Sequence, residues 1–423
     1  MAAGLASALL RILASSRRAT LAVSLISLYL VLVRSLRWRR YNALHKKYSS
    51  KAKNRTLTPE EAQEIVQLAF LYDMPLLSEY SLAFALFKTY AIPSISSLLL
   101  TTRQLSSQAL VSRRYADTEI LISTWVFCPL AGKLIGAKPD APADDPRASL
   151  ALARTNWLHS KYKISNDDYL YTLGLFMFEP AKWAEKFGWR KHSELERYAS
   201  FVYWSEIGRK LKITDIPSTP ESFEAWITDY EHKYAIPAES NLSVANHTMN
   251  ELLFVVPHAF GLRAFAEGIA RAMLDDKTRR AMLQPPAPTY AAPLIRTLLG
   301  SAAFIQKHLL LPRSRPGGSV KAELPPISGD VAPRMFPTRW TSKPWYKPAS
   351  GLGAWDRVLV WLNWHDDVPR EEWRSGGYRL HEMGPLRWEG EGHEEVMRNA
   401  AELQGCPIAK EWTATRAREA DGA

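Results

Sequence analysis

From Thr58 onward, apolar residues recur at helical spacing. No stretch of this 423-residue chain alternates apolar and polar residues for long enough to build a sheet. The first helix signal is explicit. Thr58 can cap, Pro59 suits the first turn, Glu60 and Glu61 sit near its positive end, and Ile65, Leu68, Ala69 and Tyr72 follow at one-turn intervals. The same spacing predicts helices over 76–90, 94–110, 112–134, 147–162, 166–178, 193–210, 220–233, 244–273 and 276–283. Ser165 or Asn166 starts the fifth of these, Asp167 and Asp168 in its first turn serve the helix dipole, and Pro180 is expected to stop it. The fold class expected is all-α.

Ahead of the helical region lies a segment of different composition. Residues 1–59 hold twelve Lys or Arg and no acid, more than the whole net charge of +11. The charge therefore belongs to one segment, and no zinc-finger or RNA-recognition pattern accompanies it, which argues against a nucleic-acid partner. Within the segment, Ala19–Val33 is uncharged and extends to Leu36 if Arg34 snorkels. Arginines rather than a small-residue cleavage site follow it, so an uncleaved membrane anchor is expected in place of a secretory signal. Three basic residues precede the segment and nine follow by Arg55, which puts the bulk of the chain on the cytosolic side. Sequons at Asn54, Asn241 and Asn246 would matter only in a lumenal domain.

Two cysteines, Cys128 and Cys406, exclude a disulfide framework and a thiolate zinc site. Cys128, amid Trp125, Phe127 and Leu130, is expected to pack as a small apolar residue. The organisation expected is an anchor with its basic flank (1–57), a helical catalytic domain (58–311), a Pro-rich arm (312–353) and a Trp-rich extension with a disordered end (354–423). Leu294–Leu311 is mostly apolar with Arg296 and Lys307 inside it, which suits a core helix or one lying on a membrane surface. His365-Asp366-Asp367 and His393-Glu394-Glu395 look like ligand sets but read as solvated charge.

Two polar clusters interrupt the apolar helices. Arg114, Asp117 and Thr118, spaced i, i+3, i+4, would project a cation, a carboxylate and a hydroxyl from one helical face. His159 closes a half-buried helix, where a neutral imidazole can bind a metal or haem iron. By spacing alone, an ordinary Arg114–Asp117 ion pair and a core histidine explain the same residues.

The wording around these clusters adds more. Ala-Leu-Phe-Lys-Thr-Tyr-Ala-Ile-Pro-Ser-Ile-Ser-Ser-Leu-Leu (85–99), Arg-Tyr-Ala-Asp-Thr (114–118), Asn-Trp-Leu-His-Ser-Lys-Tyr (156–162) and Ile-Ser-Asn-Asp-Asp-Tyr-Leu-Tyr-Thr-Leu (164–173) occur in that order. This resembles the fungal endoplasmic-reticulum-bound oxygenases of the mycophenolic acid type (MpaB-like), which share a catalytic domain with the bacterial latex-clearing rubber oxygenases. The resemblance implies a multi-helix bundle of the rubber-oxygenase or globin-like type around a haem pocket, with one N-terminal anchor in the endoplasmic reticulum membrane. It implies haem b, with His159 as proximal iron ligand, dioxygen as co-substrate, and oxidative cleavage of a C=C bond in a lipophilic prenylated or terpenoid molecule to carbonyl products.

The family's Arg-x-x-Lys-Thr pattern matches Arg114, Asp117 and Thr118, with aspartate where lysine is usual. Arg114 and Thr118 are then expected to anchor the haem site, while Asp117 either relays protons or pairs with Arg114 and merely orders the site. Asn156 is a candidate for orienting the ring of His159 or a propionate. No residue aligns with the family's glutamate base, Glu79 being the nearest upstream acid. Phe84, Phe87, Tyr90, Trp125 and Phe127 are candidate tunnel walls. The rival readings are an oxygenase or hydroxylase using a non-haem metal, and a non-catalytic scaffold holding other pathway enzymes through the Trp-rich tail.

Overall fold

The structure, a computed structural model, describes residues 2–102, 108–130, 145–254, 256–257, 259–325, 332–340, 343–348, 350, 353–362, 370–408 and 412, with the side chains of 2–18, 108, 109, 259, 355, 356 and 359 left aside. Among the described residues it is all-helical, the nearest thing to a sheet being one bridge between Met335 and Tyr378. The helices are α1 (Ala2–Arg37), α2 (Arg39–Lys53), α3 (Pro59–Gln67), α4 (Pro75–Thr89), α5 (Pro93–Thr101), α6 (Gln108–Phe127), α7 (Arg147–His159) and α8 (Asn166–Phe187). They continue with α9 (Glu194–Lys210), α10 (Pro220–Tyr234), α11 (Glu239–Leu252), α12 (Leu262–Met273), α13 (Asp276–Ala281), α14 (Ala291–His308), α15 (Ala354–Trp361) and α16 (His393–Gln404).

Local chemistry starts most of these elements. Thr58 and Glu61 form a reciprocal capping box at α3 with Pro59 in the first turn, and Ser193 with Glu196 and Thr219 with Ser222 do the same at α9 and α10. Ser165 caps α8 through the backbone N–H of Asp168. Asp168 itself accepts from Ser94 Oγ and Tyr230 Oη, so this first-turn carboxylate ties α5 and α10 to α8, in keeping with a structural role.

Several boundaries differ from the sequence reading, beginning with the expected helices 94–110 and 112–134: α5 ends at Thr101, and α6 opens at Gln108 and runs unbroken through 111 to Phe127. Pro180 does not end α8, which runs on to Phe187. A proline deletes one hydrogen bond of the ladder, and the helix is held on both sides of that gap by burial against α4 and α9. The single helix expected over 244–273 is two helices, because Pro257 lacks a donor and Phe260 and Gly261 take left-handed backbone between α11 and α12. Between α3 and α4, Leu68–Asp73 winds as a π-helix. Its last residue, Asp73, accepts from the buried Arg190 at 2.7 Å, and Arg190 also holds Glu196 at 2.6 Å. The stretch 131–134, His365-Asp366-Asp367 and the tail beyond 412 lie outside the described residues.

One continuous core joins α3, α4 and α6–α10. Helix α8 approaches α10 so closely that a Cβ on Gly174 would fall 2.2 Å from Ile227. The segments after α14 return to cover α7. Arg147, fully buried, pairs with Asp145 and donates to the carbonyls of Lys321, Ala322 and Glu323. Arg154, two turns on along the same face of the helix, donates to Met383, Trp388 and Glu391 carbonyls at 2.6–2.7 Å. Trp345, Trp373 and Trp412 are buried in the core, so much of the tail's tryptophan packs inside this chain. Cys128 is buried there too, its thiol pushed up to about 12 by desolvation and thus unreactive at neutral pH.

Candidate active site

Helix α6 faces a cavity with Val111, Arg114, Tyr115, Thr118, Glu119 and Ile122, a set spaced at one- and two-turn intervals. Across from it, α7 ends in Leu158 and His159. The third wall is made by α4 and α5, which meet at 91° around Pro93 and contribute Leu82, Leu86, Tyr90, Leu98 and Leu99. The cavity holds about 220 Å³, and a second one of about 120 Å³ adjoins it toward Trp125, Phe176 and Trp204. Arg114, Thr118, Ile122, Leu158, His159 and Tyr169 line both, so these residues stand at the junction of two largely apolar chambers.

His159 is half-buried, its ring tilted against Tyr169 at 5.6 Å between centroids. Desolvation, and then the charge of Arg114, lower its pKa to about 4. The imidazole is therefore neutral at physiological pH and offers a lone pair to the cavity, the state required of a metal or haem ligand. Arg114 and Thr118 supply a cation and a hydroxyl on the facing helix. Among the described residues no three His, Cys, Asp or Glu side chains converge to hold a metal ion, so the ligand chemistry here rests on one histidine.

Two expected site residues are elsewhere. Asp117 leaves the cavity face because three residues of helix turn it about 60° from Arg114, away from Thr118 and Ile122. It is buried against the C-terminal segments instead, accepting from Tyr346 Oη at 2.6 Å and Gly384 N–H at 3.0 Å, with Arg113 at 3.5 Å. Its cation is thus Arg113, one turn before it, and not Arg114. Asn156 donates to the Lys210 carbonyl at 2.9 Å, which ties α7 to the end of α9 rather than orienting His159. Of the expected wall residues, Tyr90 and Trp125 line the chambers, whereas Phe84, Phe87 and Phe127 are absent from both linings. Phe84 packs on Trp183, and Phe87 and Phe127 are core.

Glu79 does reach the cavity. It is buried and forms an ion pair with Arg339, which enters from the Pro-rich arm. Arg339, Pro385 and Trp388 complete the lining from beyond residue 312, and Tyr162 stacks edge-on against Trp388 at the rim. Neither Glu119 nor Arg339 stood out in the sequence. Glu119 becomes legible once the register of α6 is known, whereas nothing local marks Arg339, more than two hundred residues from Arg114.

The comparisons with known proteins bear on this arrangement. Residues 150–304 match the family model described as ER-bound oxygenase mpaB/B'/Rubber oxygenase, catalytic domain. The chain is also 32% identical over 407 residues to the ER-bound oxygenase mpaB' of Penicillium brevicompactum, covering 89% of this chain and 90% of the relative. It belongs to the mpaB family of ER-bound oxygenases. Other members give similar figures. Identity is 35% over 283 residues with the mpaB of Penicillium roqueforti (strain FM164), covering 62% of this chain and 89% of that one, and 30% over 358 residues with the mpaB of Penicillium brevicompactum, covering 79% of each. As a member of the mpaB family this chain is an oxygenase, an enzyme that draws on dioxygen. The matched region opens inside α7, so it contains His159 but neither Arg114 nor Thr118. The relatives are named ER-bound, and here the first helix is apolar and unburied from Leu21 to Leu32.

Proposed function

We propose that this mpaB-family chain is a membrane-anchored haem oxygenase of secondary metabolism that cleaves a C=C bond in the prenyl or terpenoid part of a lipophilic substrate, leaving carbonyl products. The observation that carries this reading is His159, a neutral imidazole opening on an apolar cavity opposite Arg114 and Thr118. A single histidine on which, among the described residues, no carboxylates converge suits haem better than a bare metal ion. His159 would hold the iron of haem b, with Arg114 and Thr118 as the polar anchors of the group. Bound there, haem supplies the binding and activation of dioxygen.

The remaining work falls to the chain. Leucine and isoleucine side chains of α4–α6 take up an apolar substrate and exclude water, which raises the influence of the few charges present. Burial keeps His159 unprotonated, and Arg114 reinforces this while presenting its guanidinium to the cavity. Glu79, paired with Arg339, is the carboxylate best placed to move a proton at the cavity wall. Asp117 has no contact with substrate in this scheme and braces the C-terminal segments. We assign residues 1–57 to a single-pass anchor in the endoplasmic reticulum membrane and 58–311 to a cytosolic catalytic domain, completed by the arm (312–353) and the extension (354–423), from the arginine-rich flank that follows the apolar stretch.

The test is the absorption spectrum of detergent-purified wild type and His159→Ala, as isolated and after reduction under carbon monoxide. A Soret band in wild type, lost or shifted in the variant, is expected. A well-folded wild type without haem would overturn the reading.

A further inference from the structure

Helix α14 carries an apolar face that none of the described residues covers. Leu298, Ile305 and Leu309 fall on one side of it and are 60%, 43% and 43% exposed, and Phe304, Leu310 and Leu311 add 58%, 52% and 48% around its C-terminal turn. A monomeric soluble surface scatters such residues; here they gather on one helix and the turn that ends it.

Two further observations say what covers it. First, the end of α14 is fastened to the apolar N-terminal helix. Tyr29 Oη donates to the Leu309 carbonyl at 2.8 Å, Arg37 to that of Leu310, and Arg40 to that of Arg313 at 2.6 Å. Leu30, Val31 and Arg34 of α1 share a cleft with Phe304, Lys307 and Leu309. Leu309 and Leu310 therefore sit at the level where α1 leaves its uncharged stretch, and α14 runs out from that point. Second, residues 277–322 contain eight Lys or Arg and no acid, the same bias as residues 1–59. The hydrogen bonds above join two acid-free basic segments that are far apart in sequence, both flanking exposed apolar helix.

We infer that α14 is a second membrane contact, lying in the headgroup region of an anionic leaflet with the Leu298–Leu309 face toward the acyl chains and Arg296, Lys307, Arg313 and Arg315 at lipid phosphates. Apolar area and cationic flanks act together in such a helix, each basic residue adding attraction to an anionic surface. The arrangement rests on α1 as the membrane-bound segment and goes beyond it: the catalytic domain is held flat against the leaflet instead of swinging on α2.

The test uses the full chain in vesicles of phosphatidylcholine with one-fifth phosphatidylserine. A nitroxide is placed at Leu298→Cys or Ile305→Cys in a Cys406→Ser background, with Leu25→Cys and the exposed Asp229→Cys as lipid and water references. Collision rates with oxygen and with a water-soluble nickel chelate are then measured. The expected oxygen-to-nickel ratio at 298 and 305 is several-fold above that at 229 and close to that at 25. A lipid-like ratio at 25 with a water-like ratio at 298 and 305 overturns the inference and leaves the anchor standing. A water-like ratio at all positions overturns both. Low collision with both reagents at 298 and 305 would put protein on this face and equally overturns it.

Discussion

Arg154 is the residue whose loss should be easiest to read. Its guanidinium is fully buried and donates to three carbonyls, those of Met383, Glu391 and Trp388. Those carbonyls belong to the segment that brings Pro385 and Trp388 to the cavity rim. Each charge-assisted bond is worth about 1.5–3 kcal/mol net, and because three share one cation we take about 4 kcal/mol for the attachment of the segment to α7. Arg154→Met removes the donors and keeps an apolar stem of similar length. The segment should then open locally about a thousandfold more often, since every 1.4 kcal/mol is a factor of ten. Hydrogen exchange read by mass spectrometry over 380–391 measures this directly, with α9 peptides as the internal standard. Arg154→Lys should recover little, because one ammonium cannot span three diverging carbonyls. Unchanged protection over 380–391 in the Met variant would refute the reasoning, for it would show that tryptophan packing alone holds the segment.

The remaining predictions separate site from scaffold. Asp117→Asn keeps only one of the two oxygens that accept from Tyr346 and Gly384 and removes the charge beside Arg113, so it should lower the melting temperature while turnover per folded molecule stays near wild type, whereas Arg114→Met should cut turnover with little change in melting. The reverse pattern would return Asp117 to the chemistry. Acid should weaken the fold between pH 6.5 and 4. Burial first of all holds His381 near 3 and His192 near 4 in the folded state, so across that window the unfolded chain binds more protons and stability is lost as pH falls. Urea midpoints measured through the window should show this slope, and His381→Asn should flatten it.

The fold class was legible because it depends on short-range periodicity, which survives in any single sequence. The caps at Thr58 and Ser165 were legible for the same reason. Pro180 misled because a helix tolerates one missing bond when its neighbours bury it, and no local pattern carries that information. In the site, His159 and the Arg114–Thr118 pair could be found from position and wording. Asp117 was misplaced by counting i+3 as the same face when the cavity lies on the other side of Thr118. Arg339 could not be found at all, since what makes it a cavity residue is the return of the arm across α4.

That return has an evolutionary consequence. The helices that carry His159, Arg114 and Thr118 are locked into the core, where substitutions are costly. Part of the rim, Pro385 and Trp388, is borne on an irregular segment that Arg154 holds through its backbone carbonyls, contacts that do not depend on the side chains of that segment. Sequence can therefore drift at the rim without disturbing the centre. Related oxygenases with one catalytic core could acquire different substrates by exchanging their last hundred residues, and a fragment cut to residues 150–304 would keep the histidine but lose most of the vessel around it.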